Sequence, residues 1–327
     1  MRERIGQLFI TGFKGEEPNE EFLRFYKEDK IGGVILFEDN CTPHSAAEKS
    51  IRLLHSVSDK APFVAVDQEG GRVCRFKGAP AEYGAASEYG KDNKLELFEE
   101  QFNRAAYYLA SIGINLFLGP VADIGLNDRN KCLEGRTFGK SPAQVIPFVE
   151  RAMKIIHKAG MLACLKHFPG LGAASFDPHE RLSEADFDYQ TFINREGIAF
   201  KSGIDIGADM VMTTHLLLPK IDDKPATCSD KIVRNILRGT LGFDGIVITD
   251  DLLMGGAGSP ENIGQTALES FNAGHDILLI GQDWKACRSA VKYFKDAYDN
   301  DRLDKDKLKR SLGRISGIKS IIAMPVF

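Results

Sequence analysis

Eight short apolar runs recur along the 327-residue chain and alternate with longer amphipathic stretches. The runs are almost continuously apolar, a pattern typical of parallel strands that are covered on both faces. They span residues 7–12, 33–37, 62–66, 114–119, 161–167, 210–213, 245–250 and 276–280. We therefore predict eight parallel β-strands.

Apolar residues between these runs recur at three- and four-residue steps, as they do on the buried face of a helix. Three such series are Phe98, Phe102, Ala105, Leu109 and Ile112, then Val145, Val149, Ala152 and Ile156, and finally Leu308, Leu312 and Ile315. Strands that alternate with helices in this way predict an α/β fold, specifically a (β/α)8 TIM-like barrel. No linker or repeat divides the chain, so we predict a single domain over 1–327.

Composition narrows the classes of partner. The net charge is only −4 and both signs are mixed along the chain, which argues against a nucleic-acid partner and a polybasic membrane anchor. No apolar run is long enough to cross a bilayer or to act as a secretory segment, so a cytoplasmic protein, monomeric or weakly dimeric, is expected. The six scattered cysteines predict reduced thiols.

Polar residues cluster where four of the predicted strands end, at 67–75, 135–139, 166–170 and 249–252. In a (β/α)8 barrel the C-terminal strand ends meet at one mouth, which carries the active site. Any single cluster could be a helix cap or a solvated charge. Their shared carboxylate, Arg, Lys and His content, without a metal-ligand set or a phosphate loop, suits a polyhydroxylated ligand such as a sugar. We predict no cofactor and no metal.

Several of these segments occur in the order and spacing of a known family. They are 66–76, 136–139, 166–170, 177–179 and 249–254, and together they resemble glycoside hydrolase family 3, in particular its compact bacterial β-N-acetylhexosaminidases. The resemblance implies a retaining, exo-acting hydrolase that removes terminal β-linked N-acetylglucosamine from cell-wall-derived glycans. A covalent glycosyl–aspartate intermediate is part of that expectation.

The resemblance implies Asp250 as the nucleophile. Asp251 is the obvious competitor, but period-two alternation places neighbouring residues on opposite faces of a strand, so only one of the two should point into the mouth. The resemblance further implies an acid/base pair in which His179 transfers the proton and Asp177 orients its ring. An imidazole suits proton transfer because its unperturbed pKa lies near neutral pH. It assigns substrate binding to Asp67, Arg75, Arg136, Lys166 and His167. His215 also falls near the mouth, and we expect a structural role for it.

One segment departs from the family pattern. Where the family usually continues Pro-Gly-His-Gly-Asp-Thr, this chain has apolar side chains at Leu171, Ala173 and Ala174. We expect the following loop to pack differently and its leaving-group preference to change. Two alternatives stay open: a β-N-acetylglucosaminide phosphorylase, because a His acid/base does not repel phosphate, and a sugar-binding protein without turnover.

Overall fold

Eight parallel strands form the centre of the molecule in the computed structural model, which describes residues 1–175 and 182–322. The strands are β1 (Phe9–Thr11), β2 (Gly33–Leu36), β3 (Phe63–Val66), β4 (Leu116–Phe117), β5 (Leu162–Phe168), β6 (Met210–Thr213), β7 (Ile246–Thr249) and β8 (Leu278–Ile280). Each predicted apolar run coincides with one of them, and only β5 extends beyond its run, by one residue. They are hydrogen-bonded in the order β7-β6-β5-β4-β3-β2-β1-β8.

The two ends of this order meet at β7 and β8, where the barrel closes more loosely than elsewhere. One isolated parallel bridge joins Ile248 to Ile277, just before β8 begins. Supporting hydrogen bonds run from the Asp276 N–H to the Val247 carbonyl oxygen at 2.8 Å and from the Leu279 N–H to Thr249 Oγ1 at 3.0 Å. The sheet is therefore a nearly closed barrel, and we call this junction the β7–β8 seam.

Helices surround the barrel, one after each strand and a second one after β8. They are α1 (Glu20–Glu28), α2 (His44–Val57), α3 (Leu95–Ser111), α4 (Pro142–Lys158), α5 (Glu196–Asp205), α6 (Lys231–Thr240), α7 (Ile263–Ala273), α8 (Trp284–Asp299) and α9 (Lys305–Lys319). The apolar series predicted for α3, α4 and α9 are buried in one continuous core. The α/β barrel prediction is confirmed.

Some local features differ from the sequence-based expectation. The stretch 79–92, for which no helix or strand is predicted above, contains the short helix Ala86–Lys91. The stretch 170–189 contains the strand Ser183–Glu184, which pairs with Leu216–Leu217. Helix α6 has wide turns closed by hydrogen bonds five residues apart. Elements of two to six residues carry too few apolar positions for a period to be visible.

Two further findings bear on the composition. All six cysteines carry free thiols, five of them buried and Cys228 partly exposed, in agreement with the prediction of reduced thiols. Within 1–175 and 182–322, no helix is both long enough and apolar enough to cross a membrane.

Helix α9 covers the N-terminal ends of several strands. Lys307 Nζ donates to the His275 carbonyl oxygen before β8 at 2.7 Å, and Lys319 Nζ donates to the Gly32 carbonyl oxygen before β2 at 2.6 Å. Both side chains are buried, although no carboxylate lies within 4.0 Å of either among the described residues. The two ammonium groups thus attach α9 to the barrel through backbone carbonyls.

Burial of Lys319 predicts a pH-dependent stability. Desolvation, reinforced by the nearby Lys60 charge, lowers the pKa of Lys319 to about 7. Between that value and the ordinary lysine pKa the unfolded chain binds more protons, so this group raises the free energy of unfolding as pH rises. In Lys319→Met we expect a smaller increase in that free energy between about pH 7.5 and 9.5 than in the wild type, measured by urea denaturation. Lys309→Met, at an exposed position of α9, is the control, and an unchanged slope in Lys319→Met would contradict the argument.

Candidate active site

A cavity of about 480 Å³ opens at the C-terminal ends of the strands. Six of the eight residues that the sequence singled out line it: Asp67, Arg75, Arg136, Lys166, His167 and Asp250. The remaining two, Asp177 and His179, lie outside the described residues. The structure therefore brings together side chains that are up to 183 positions apart, from Asp67 to Asp250, at the mouth expected for a barrel enzyme.

Most of these side chains belong to a strand or to the residue that directly follows one. Lys166 and His167 belong to β5, and Asp67 and Asp250 each follow directly after a strand. Asp250 is held there because its N–H donates to the Thr213 carbonyl oxygen of β6 at 2.8 Å. Arg136 comes instead from the loop between β4 and α4.

Arg75 is positioned by a small hairpin, Gln68–Gly70 paired with Val73–Cys74. The amide of Gln68 organises it: Oε1 accepts the N–H groups of Arg75 and Phe76 at 2.8 and 3.0 Å. At the turn, Gly70 and Gly71 have φ of +85° and +54°, and a side chain on Gly70 would collide with the Gly84 carbonyl oxygen. The glycine pair is explained by this turn, because neither glycine lines the cavity.

Glu69 forms the centre of a buried network of ion pairs. Its Oε1 lies 2.6 Å from Lys166 Nζ and 2.8 Å from Arg136 Nη2, while its Oε2 accepts Arg136 Nε at 2.7 Å. Lys166 also contacts Asp67 Oδ1 at 2.6 Å. The side chains of Glu69, Arg136 and Lys166 are 4%, 8% and 2% exposed, so each charge depends on its partners for solvation.

The network keeps both carboxylates ionised. Burial by itself would raise the pKa of Glu69, but the charges and hydrogen bonds of Arg136 and Lys166 outweigh burial and lower it far below the usual range. The pKa of Asp67 is lowered in the same way, against burial, by Lys166 and Arg75. Neither group can therefore supply a proton near neutral pH.

His167 is held in a defined tautomer. Arg136 Nη2 can only donate, so His167 Nε2, 3.1 Å away, must accept. The ring proton then lies on Nδ1 and is donated to Asp123 Oδ2 at 2.7 Å. Both ring nitrogens are thus occupied by the protein, and Asp123 is a further contributor to the site, fully buried beneath it.

The residues of the site consequently fall into two layers. The inner layer, Glu69, Arg136, His167 and Asp123, satisfies itself, because Arg136 also donates to the Cys132 carbonyl oxygen at 3.0 Å. The outer layer, Asp67, Arg75, Lys166 and Asp250, retains hydrogen-bonding capacity toward the cavity. Arg75, for example, lies 3.7 Å from Asp67 Oδ2, and its side chain is 26% exposed.

Asp250 and Asp251 both reach the cavity wall, so strand alternation separates them less than we predicted. Their carboxylates are nevertheless engaged differently. Asp251 Oδ1 accepts the N–H groups of Leu253 and Gly281 at 3.0 and 2.9 Å, whereas Asp250 Oδ1 accepts the Asp251 N–H at 2.9 Å. Asp251 therefore fixes the turn after β7, and Asp250 is the carboxylate more open to a ligand.

The structure also locates two further residues that the sequence analysis discussed, His215 and Leu171. His215 is fully buried, with Nε2 3.0 Å from the Asp251 carbonyl oxygen and Nδ1 2.9 Å from Thr227 Oγ1, which is a structural role. Leu171, in the segment that departs from the family pattern, lines the cavity with 1% exposure. Its N–H donates to Asp123 Oδ1 at 2.7 Å, so this segment is tied to the inner layer.

Sequence reasoning missed Glu69 and Asp123. Glu69 had a usable signal, because extended backbone places residues 67 and 69 on the same face and Asp67 was already selected. Asp123 had none: an aspartate in a loop after a strand is as readily a helix cap.

Comparison with known proteins identifies the family of this chain. Residues 1–318 match the model of the glycosyl hydrolase family 3 N terminal domain. The chain belongs to glycoside hydrolase family 3 and is thus a glycoside hydrolase.

Similar individual proteins carry related names. A beta-hexosaminidase of Methylobacillus flagellatus is 31% identical over 81% of this chain and 78% of its own, and one of Xanthomonas euvesicatoria is 29% identical over 84% and 83%. Among solved structures, a family 3 β-N-acetylglucosaminidase from Paenibacillus superposes with a TM-score of 0.94 at 28% identity, covering the whole of this chain but 64% of that one. The β-N-acetylhexosaminidase of Beutenbergia cavernae superposes with a TM-score of 0.88 at 28% identity, over 98% of both chains.

The Glu69 network predicts a large stability effect. Glu69→Gln removes the counter-charge of Arg136 and Lys166 while nearly preserving shape. We expect the free energy of unfolding to fall by about 3–5 kcal/mol, because Arg136 then has no ion pair among the described residues and Lys166 keeps only the one with Asp67. Glu134→Gln, which breaks an exposed pair with Lys131, should change it by less than about 1 kcal/mol. Equal effects of the two substitutions in denaturant titrations would refute the central position of Glu69.

Proposed function

We propose that the chain is a retaining, exo-acting β-N-acetylhexosaminidase that releases terminal β-linked N-acetylglucosamine through a glycosyl–Asp250 intermediate. The observation that carries the proposal is the outer layer. One open carboxylate, Asp250, faces a cavity that is also lined by the hydrogen-bonding groups of Asp67, Arg75 and Lys166. The names of the similar hexosaminidases support the choice of sugar, and the family resemblance supports cell-wall-derived glycans as the source.

Binding of the terminal sugar follows from the free hydrogen-bonding groups. Asp67 accepts from hydroxyl groups, while Arg75 and the remaining Lys166 N–H donate to them; bonds to charged groups are the stronger and more directional kind. Arg136 and His167 act indirectly, since Arg136 fixes Glu69, which in turn holds Lys166. A wall of donors and acceptors on one side of a single sugar fits removal of terminal residues only.

Asp250, the proposed nucleophile, has no counter-ion in the described part of the chain. Among residues 1–175 and 182–322 no cationic side chain lies within 4.0 Å of Asp250, so its charge is not neutralised by an ion pair. In the first step this carboxylate attacks the anomeric carbon and the leaving oxygen takes a proton; in the second, water releases the sugar with net retention.

The acid/base must be a group other than the described carboxylates of the cavity. Asp67 and Glu69 stay ionised in ion pairs, and Asp251 is committed to backbone N–H groups. This elimination supports His179, oriented by Asp177, as the group that protonates the leaving oxygen and then deprotonates water. Because Leu171 contacts the cavity just before that segment, we also propose an altered preference for the leaving group.

Substitution of the nucleophile tests the proposal. Asp250→Ala should lower turnover of p-nitrophenyl β-N-acetylglucosaminide by several orders of magnitude, with an unchanged circular dichroism spectrum. Asp244→Asn, at an exposed position just before the same strand, should retain wild-type turnover. Near-normal turnover in Asp250→Ala would exclude the glycosyl–Asp250 intermediate.

The acid role makes a separate prediction. His179→Ala should slow hydrolysis of substrates with poor leaving groups, such as the N-acetylglucosamine disaccharide, far more than that of activated aryl glycosides, because a good leaving group needs little protonation. The comparison uses kcat/KM on both substrates. Equal losses on both would remove His179 from the acid step.

A further inference from the structure

Five cationic side chains form a cluster at the end of the barrel opposite the candidate active site. They line a cavity of about 130 Å³ together with Gly274: Arg234 and Arg238 of α6, and Lys307, Arg310 and Arg314 of α9. The position at the N-terminal strand ends follows from two contacts. Arg314 Nε donates to the Asp244 carbonyl oxygen before β7 at 3.2 Å, and Lys307 Nζ donates to His275 before β8. We call these five residues the basal cluster.

Carboxylates compensate only part of this positive charge. Asp230 lies 2.8 Å from Arg234, and Asp276 lies 2.7 Å from Arg238 and 3.3 Å from Arg314. Among the residues that the structure describes, neither Lys307 nor Arg310 has a carboxylate within 4.0 Å. Five cationic side chains therefore line one small cavity, and among the described residues only Asp230 and Asp276 form ion pairs with them.

The charged form of Lys307 is disfavoured by this excess of positive charge. Its side chain is buried, with its ammonium 3.7 Å from the centre of the Phe271 ring. Burial lowers the pKa of Lys307 to about 7 and, although Asp276 acts in the opposite direction, Arg234, Arg238 and Arg314 lower it further. A buried charge without a counter-ion is unfavourable, so an anion in the cavity would relieve it.

The size and geometry of the cavity indicate which anion fits. Pockets for drug-sized ligands measure roughly 300–1,000 Å³, so a cavity of 130 Å³ suits a small ion. Planar guanidinium groups bind phosphate oxygens in bidentate fashion, and a dianion compensates more charge than a carboxylate does. We propose that the basal cluster binds a phosphate group, either as inorganic phosphate or as a phosphate monoester.

Occupancy of this site would brace the β7–β8 seam. Asp276, which pairs with two members of the cluster, also accepts the Val247 N–H of β7 at 3.1 Å and the Ser311 hydroxyl of α9 at 2.7 Å. A phosphate between α6 and α9 therefore adds contacts across the loosest junction of the barrel. Its effect is on stability, and the site is independent of the reaction at the opposite mouth.

The test is a thermal and calorimetric titration with inorganic phosphate and, separately, with glycerol 1-phosphate. Sodium chloride at matched ionic strength is the reference. We expect saturating phosphate to raise Tm by about 2–4 °C. The double variant Arg234→Ala/Arg310→Ala, both exposed positions, should lose the shift and the binding heat while keeping wild-type p-nitrophenol release.

Two controls isolate the site. Lys309→Ala removes an exposed cation of α9 that does not line the cavity and should behave as the wild type. Asp250→Ala should keep the phosphate shift, which separates this site from the active site. Where the double variant does not fold, Arg310→Glu replaces it. A response to either phosphate source that disappears in the cluster variants supports the proposal; no response in the wild type, or an undiminished one in those variants, overturns it.

Discussion

The ion pairs of Glu69 with Arg136 and Lys166 are the constraint on which the candidate active site depends. One carboxylate, 4% exposed, holds a guanidinium from the loop after β4 and an ammonium from β5. Removal of either partner would leave an unpaired charge in a buried position, which is strongly unfavourable. Each of the three charged side chains is therefore stable there only when the other two are present. The positions of Asp67 and His167 follow, because each is bonded to one of those two cations.

This arrangement separates rigidity from recognition. The inner layer uses its hydrogen bonds on itself and fixes geometry, while the outer layer presents Asp67, Arg75, Lys166 and Asp250 to the cavity. A site of this kind is preorganised, since charged donors do not have to reorient when a sugar arrives. The barrel mouth carries a balanced network, whereas the positive charge of the basal cluster at the opposite end is only partly compensated among the described residues.

Much of the fold was predictable because parallel barrel strands are buried on both faces and so appear as apolar runs. Each of the eight runs coincides with a strand, and six of the polar residues predicted at or after the strand ends line the cavity. The function of Glu69 was harder to predict, because its importance depends on Arg136, which lies 67 positions later in the chain. The basal cluster was missed for the same reason: α6 and α9 meet only through the fold, and each alone resembles an ordinary solvated helix.

The open carboxylate at the mouth leads to one central claim, that the sugar is released by two displacements, with Asp250 as the proposed nucleophile. The most direct measurement follows p-nitrophenyl β-N-acetylglucosaminide by proton NMR, in phosphate-free buffer and again with phosphate. We predict that the β-anomer of free N-acetylglucosamine appears first in both buffers and only later mutarotates, because two displacements retain the configuration at the anomeric carbon. Initial appearance of the α-anomer, a sugar 1-phosphate as the product, or binding without release would contradict it.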